Sequence, residues 1–203
     1  MPGASRRGRF ITLEGVDGAG KSTHVPWIAE RLRSGGREVI VTREPGGTPL
    51  AEKLRARVLA EKMDPEEATE LVFQARADHV RKVIRPALER GAWVLCDRFT
   101  DSTLAYQGAG QGVSQARIEA LAAKIDLRPD LTLVFDATYA VSRERLAGRT
   151  LDRFEAEGAK FFERVRKAYQ DLARAEPGRV HMIDGSRPLE EIKVEIQKWI
   201  AAH

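Results

Sequence analysis

Short apolar runs recur along the chain at Phe10 to Glu14, Glu38 to Thr42, Trp93 to Asp97, Leu131 to Phe135 and Arg179 to Ile183, separated by longer stretches of helical periodicity. Runs such as V-I-V, W-V-L-C and L-T-L-V-F are nearly continuous rather than alternating, as in strands buried on both faces. The pattern predicts an α/β fold, a five-stranded parallel sheet sandwiched between helices. Ligands of such sheets gather beyond the carboxyl ends of the strands. The helical stretch from Pro65 to Arg90 carries Phe73, Arg76 and His79 at spacings of three, on roughly one face. An arginine on a core-like face requires a carboxylate or a ligand, because an unpaired buried charge is costly. The segment G-A-G-Q-G, Gly108 to Gly112, reads as a single mobile loop.

The turn after the first run reads G-V-D-G-A-G-K-S, Gly15 to Ser22, and matches the phosphate-binding P-loop at every fixed position. Its glycines let successive N–H groups converge on an anion, and the helix that follows adds free donors and a positive dipole end. Gly15, Val16, Asp17, Gly18, Ala19, Gly20, Lys21, Ser22 and the adjoining Thr23 are thus candidates for holding nucleotide phosphates. Lys21 would reach the β and γ phosphates, and the Ser22 hydroxyl would ligate magnesium. Pro26 removes the amide that would bond the Ser22 carbonyl, so a bend is expected early in that helix. Two further polar loops follow the second and third runs: T-R-E-P-G-G-T and D-R-F-T-D-S-T.

At 203 residues and 42% hydrophobic, the chain can build one sizeable core, and one domain over 1–203 is expected. The net charge of +4 would suit nucleic acid. Beyond the cluster Arg6, Arg7 and Arg9, however, arginines are scattered among acidic residues and beside phosphate-type motifs. Small phosphorylated ligands account for them, with no nucleic-acid partner. No membrane-length apolar run and no signal-peptide pattern is present, and the lone Cys96 cannot form an internal disulfide, so a cytoplasmic protein with no membrane association is expected. Cys96 lies in an apolar run and reads as a buried structural thiol.

Taken in order, G-V-D-G-A-G-K-S, T-R-E-P-G-G-T (Thr42 to Thr48), D-R-F-T-D-S-T-L-A-Y-Q-G (Asp97 to Gly108) and D-R-F-E (Asp152 to Glu155) resemble bacterial thymidylate kinases, over nearly the whole chain. The resemblance implies a P-loop NTPase fold with a small lid, and transfer of the γ-phosphoryl group of ATP to dTMP, giving dTDP and ADP in dTTP synthesis. It implies that Arg43 holds the acceptor phosphate and that Arg98 sits at the transfer point. Asp97, at the end of the third strand, would help Ser22 hold Mg2+ or its water shell. Asp17 would bond the deoxyribose 3′-hydroxyl. Phe73 would stack on thymine and Arg76 would bond the O4 carbonyl, although many relatives separate these two by four residues and this chain by three, which leaves Val72 at the four-residue position. Thr103, Tyr106 and Gln107 complete the dTMP pocket, with Tyr106 crowding a ribose 2′-hydroxyl.

The lid corresponds to Arg143 through Glu155. Gly18 occupies the P-loop position where some relatives carry a catalytic arginine, so the resemblance implies a lid cation, with Arg149 or Arg153 the candidates beside Lys21 and Arg98. Arg143 and Arg145 read as a solvated, salt-bridged helix face. A homodimer is implied. Two other readings compete: a P-loop GTPase switch, which lacks its guanine-reading segment here (the nearest run is Ala123 to Asp126), and a kinase of the same architecture for another nucleoside monophosphate.

Overall fold

The computed structural model describes residues 7–202; Arg6 of the basic cluster lies outside them. A parallel sheet is ordered β2-β3-β1-β4-β5. Its strands are β1 (Phe10–Gly15), β2 (Val39–Arg43), β3 (Trp93–Asp97), β4 (Leu131–Asp136) and β5 (Val180–Asp184), each within a residue or two of its expected run. Phe10 pairs with Val94 and Ile11 with Leu131, so β1 lies at the centre. Its carboxyl end, where the P-loop begins, is therefore flanked by the ends of β3 and β4.

Apolar side chains leave both faces of the sheet, as continuous rather than alternating runs require. On β3, Leu95 points into a core shared with Ile28 and Leu32, whereas Val94 and Cys96 point into a second core with Phe10, Phe99 and Ile118. The first core takes α1 (Lys21–Ser34), α2 (Pro49–Ala60), α8 (Ala159–Ala175) and α9 (Leu189–Ala202). The second takes parts of α3 (Pro65–His79), α4 (Arg85–Glu89) and α6 (Gln115–Ile125). Cys96 is fully buried, and desolvation pushes its thiol well above the ordinary range, as the structural reading expected. No helix among the described residues is long and apolar enough to cross a membrane.

The helix expected over Pro65 to Arg90 forms as α3, a π-helical segment Val80–Ile84, and α4. The π segment immediately precedes Arg85-Pro86, where the proline has no amide to donate and its ring would clash with the carbonyl one turn back, so the helix widens. By contrast, α1 remains helical through Pro26, which is exposed to solvent.

The glycine-rich stretch departs from its expected form. After the short α5 (Thr100–Thr103), a π-helical segment Leu104–Gly110 includes Gly108, Ala109 and Gly110, leaving only Gln111 and Gly112 of the stretch outside it. These residues are helical because α8 lies against them. A Cβ on Gly110 would come within 2.5 Å of the Phe161 ring, and Arg164 donates to the carbonyls of Ala109 and Gly110 at 3.2 and 2.7 Å. Glycine serves close helix packing there, not mobility.

Candidate active site

The P-loop leaves β1 at Gly15, whose φ of 122° is left-handed and whose absent Cβ would lie 2.1 Å from the Phe135 carbonyl oxygen. Only glycine fits that turn. Val16 and Ala19 are buried and anchor the loop, so that Gly18, Gly20, Lys21, Ser22 and Thr23 line a polar chamber. Lys21 Nζ lies back on the carbonyls of Gly15 and Val16 at 2.9 and 3.0 Å. Burial, and then the neighbouring Arg98, lower this ammonium to about 8, with Asp17 and Asp97 acting in opposition. A polyphosphate would draw it off the carbonyls.

Asp97 lines the same chamber, and its Oδ1 is buried without a hydrogen-bond partner. A carboxylate left in that state beside Ser22 suits a hard cation. Arg43 also reaches this chamber, with a side chain 56% exposed and a 3.1 Å contact to Glu52.

A second chamber opens beyond the first, between α2, α3 and the segment after β3, and the two share Asp17, Glu44, Arg55, Arg98 and Asp152. At this junction Arg98 adopts φ 70°, uncommon for a residue with a side chain. Its guanidinium donates to Asp17 Oδ1 at 2.6 Å, to the Gly15 carbonyl at 3.0 Å, and to the hydroxyls of Ser102 and Tyr106 at 3.1 Å each. Tyr106 in turn donates to Asp17 Oδ2 at 2.9 Å. Burial works against the Asp17 charge, but Arg98, Lys21 and these hydrogen bonds outweigh it and hold the carboxyl at about 2.

Deeper in the second chamber, Arg76 finds the carboxylate that its burial demands. Nε donates to Glu44 at 2.7 Å and Nη2 to Thr103 Oγ1 at 3.2 Å, with Arg76 and Glu44 only 1% and 2% exposed. The remaining nitrogen, Nη1, is buried with no partner. A buried, unsatisfied guanidinium N–H at a chamber wall can donate to a carbonyl oxygen without any other rearrangement. Gln107, Thr103 and Tyr106 line the same wall.

Phe73 does not. It is 4% exposed and packs in the second core, with the Arg76 guanidinium 4.7 Å above its ring and Phe99 on the guanidinium's other side at 5.0 Å. Val72 faces the chamber instead. The expected stacking of Phe73 on a base is therefore corrected: its ring supports Arg76 from behind.

The lid candidates separate as well. After α7 (Tyr139–Arg145), the segment folds back through a turn in which Asp152 Oδ1 accepts from the amides of Phe154 and Glu155, and Glu155 accepts from the Asp152 amide. Phe154 then packs edge-on to Tyr106 at 5.8 Å. Arg149 faces the phosphate chamber. Arg153 is drawn away, donating to the Glu61 carbonyl at 2.9 Å with its guanidinium over Phe154. Ser142 bonds the Asp17 carbonyl, tying α7 to the P-loop.

A P-loop chamber joined through two arginines to a pocket with a spare guanidinium donor is arranged to bring two phosphorylated ligands together. Comparison with known proteins agrees: the family model for thymidylate kinase matches residues 13–196. The chain belongs to the thymidylate kinase family. It is 56% identical to the thymidylate kinase of Bordetella pertussis over 197 residues, covering 96% of this chain and 95% of that protein. The thymidylate kinase of Methylobacillus flagellatus is 54% identical, with 94% and 95% covered. In structure, a crystallised thymidylate kinase from Ehrlichia chaffeensis superposes with a TM-score of 0.77 at 34% identity, covering 95% of this chain and 98% of that one. The fold is accordingly that of P-loop NTPases, and the protein is a kinase.

Within the two chambers, two arginines escaped sequence reasoning. Arg55, on α2, lines both chambers and donates to the Pro45 carbonyl at 3.0 Å. Arg145, read as a solvated face, instead spans the carbonyls of Gly18 and Gly185 at 3.1 and 2.8 Å at the chamber rim. The only local signal for Arg55 is its place on the helix that directly follows T-R-E-P-G-G-T; nothing marks Arg145 out from Arg143.

Proposed function

We propose that the P-loop chamber holds the phosphates of ATP, that the second chamber holds dTMP, and that the γ-phosphoryl group crosses at Arg98. The reaction is that of the family: ATP and dTMP give ADP and dTDP, in the supply of dTTP. The observation that carries the residue assignment is the junction, where Arg98, Arg55 and Asp17 belong to both chambers at once. Two polyanions must meet there, and two guanidinium groups suppress their repulsion.

In this reading Lys21 takes the β and γ phosphates, which keep it protonated, and Arg43 with Arg98 receives the dTMP phosphate. Arg149 approaches the γ group from the lid and stabilises charge in the transition state. Ser22 and the unpartnered Asp97 would hold Mg2+, which supplies charge neutralisation when bound. Arg76 Nη1 donates to the thymine O4 carbonyl, Val72 lies against the base, and Asp17 accepts the 3′-hydroxyl while Tyr106 crowds a 2′-hydroxyl. The acceptor phosphate is largely dianionic near neutral pH. It therefore attacks without a general base, and positioning carries the rate. The whole chain acts as one domain with a lid over 143–155. We also propose a cytoplasmic homodimer, which light scattering tests.

A coupled ADP-release assay with ATP and Mg2+ against dTMP, dUMP, dCMP, dGMP, AMP and UMP tests the substrate. dTMP should be the best acceptor. dUMP should follow within about tenfold to two-hundredfold, because one methyl group in an apolar pocket is worth only about 1–3 kcal/mol. Better turnover of any other acceptor than of dTMP refutes the reading.

A further inference from the structure

Glu14, the last residue before the P-loop glycine, is fully buried and takes no part in the assignments above. A buried carboxylic acid in a central strand is costly unless its oxygens are occupied. They are. Oε1 accepts from the Phe99 amide at 2.7 Å, and Oε2 accepts from Ser102 Oγ at 2.5 Å and from the Tyr169 hydroxyl of α8 at 2.9 Å. Phe99 directly follows the left-handed Arg98, and Ser102 Oγ is itself an acceptor for Arg98 Nη1 at 3.1 Å. Glu14 thus grips the transfer arginine at two points, through the backbone on one side and a hydroxyl relay on the other.

We propose that Glu14 is a positioning residue for phosphoryl transfer: through Phe99 N–H and the Ser102 hydroxyl it sets both the backbone turn and the guanidinium direction of Arg98. The relay is directional. Ser102 has one proton, and giving it to Glu14 leaves an oxygen lone pair for Arg98. Tyr169 donates to the same carboxylate oxygen and lies 2.9 Å from Ser102 Oγ, so α8 is joined to the transfer point through that carboxylate and the serine hydroxyl. Burial, and then Asp101, push the Glu14 carboxyl up to about 7, while Ser102, Arg98 and Tyr169 favour its charged form. The fold retains an acid where a leucine would be easier to bury, and the neighbour that gains is Arg98.

Glu14→Gln separates shape from function. An amide has the volume of the acid but only one acceptor oxygen. With that oxygen toward Phe99 N–H, the NH2 group donates to Ser102 and turns the hydroxyl proton toward Arg98. Flipped, the NH2 group opposes the Phe99 amide. Either arrangement releases one of the two grips.

The inference rests on the proposed role of Arg98, and the parent enzyme is measured alongside to keep the two apart. In steady-state assays with Mg2+, ATP and dTMP, Glu14→Gln should lower kcat tenfold or more with the KM for ATP within twofold. Tyr169→Phe and Ser102→Ala, which keep most of the packing, should lower kcat about threefold or more in the same pattern. A parent that fails to phosphorylate dTMP overturns the reading beneath the inference. A parent that turns over dTMP while all the folded variants keep its kcat overturns the positioning role alone, as does a kcat loss fully explained by the unfolded fraction in urea titrations. If Glu14→Gln does not fold, the other two variants decide on the same criterion.

Discussion

Replacing Arg76 by methionine should damage stability and substrate affinity by separate routes that can be measured apart. Methionine keeps much of the side chain's length between the rings of Phe73 and Phe99 but removes the partner of Glu44, which is 2% exposed. Breaking a buried ion pair from one side costs about 3–5 kcal/mol because the other charge stays behind. For a chain of this size that lowers Tm by about 6–20 °C. The KM for dTMP should rise about tenfold to a hundredfold, the scale of losing a hydrogen bond from a charged donor worth about 1.5–3 kcal/mol. Adding Glu44→Gln removes the orphaned charge while leaving an acceptor for His79, so the double variant should regain most of the stability and none of the affinity. Urea titration and dTMP-dependent ADP release on parent, single and double variants check both effects. A single variant that loses less than about 1 kcal/mol, or a double variant whose KM returns to the parental value, refutes this account.

In the lid, Arg149→Ala should lower kcat by tenfold or more with the dTMP KM little changed, because Arg149 faces the phosphate chamber, whereas Arg153→Ala should cost less, since Arg153 is held on the Glu61 carbonyl; the reverse order in stopped-time kinetics would exchange their roles. Asp17, held at about 2 by Arg98, Lys21 and Tyr106 against its burial, binds its proton more weakly folded than unfolded. Its contribution to stability is therefore complete above the unfolded value near 3.9 and lost as pH falls through about 2. The stability gap between parent and Asp17→Asn should shrink over that interval in urea titrations, and a gap that widens on acidification contradicts the cause given. Phe73→Leu should lower Tm while leaving the dTMP KM within about threefold, and Val72→Ala should raise that KM; equal KM changes would place both side chains against the base.

The fold was legible because its signals are local. Each strand is a run that cannot be solvated, each run ends in a polar loop, and a parallel sheet needs nothing more to place its ligands at one edge. The P-loop, Asp97 and Arg98 follow from that edge, since they lie within a few residues of a strand end, whereas Tyr106 and Gln107 are expected only from the family resemblance. Arg55 follows from neither: it reaches the junction only because α2 packs across the mouth of the second chamber, a contact no spacing encodes. Glu14 was hidden for the opposite reason, reading as the polar end of an apolar run while its partners Phe99, Ser102 and Tyr169 lie far away in sequence.

The Phe73 error shows where helical periodicity stops being informative. Residues three and four apart both fall on one face of a helix, but from opposite sides: at about 100° per residue, Phe73 stands roughly 60° to one side of Arg76 and Val72 about 40° to the other. The two cannot both face the same chamber. Which one does depends on how the helix is rotated about its axis, and that rotation is set by the partner Arg76 must find. Glu44, reached from the loop after β2, fixes Nε and turns Val72 toward the second chamber, and Phe73 is left to fill the core beneath the guanidinium. A single buried ion pair thus decides which side chain faces the chamber, and the sequence shows that pair only as two charges 32 residues apart.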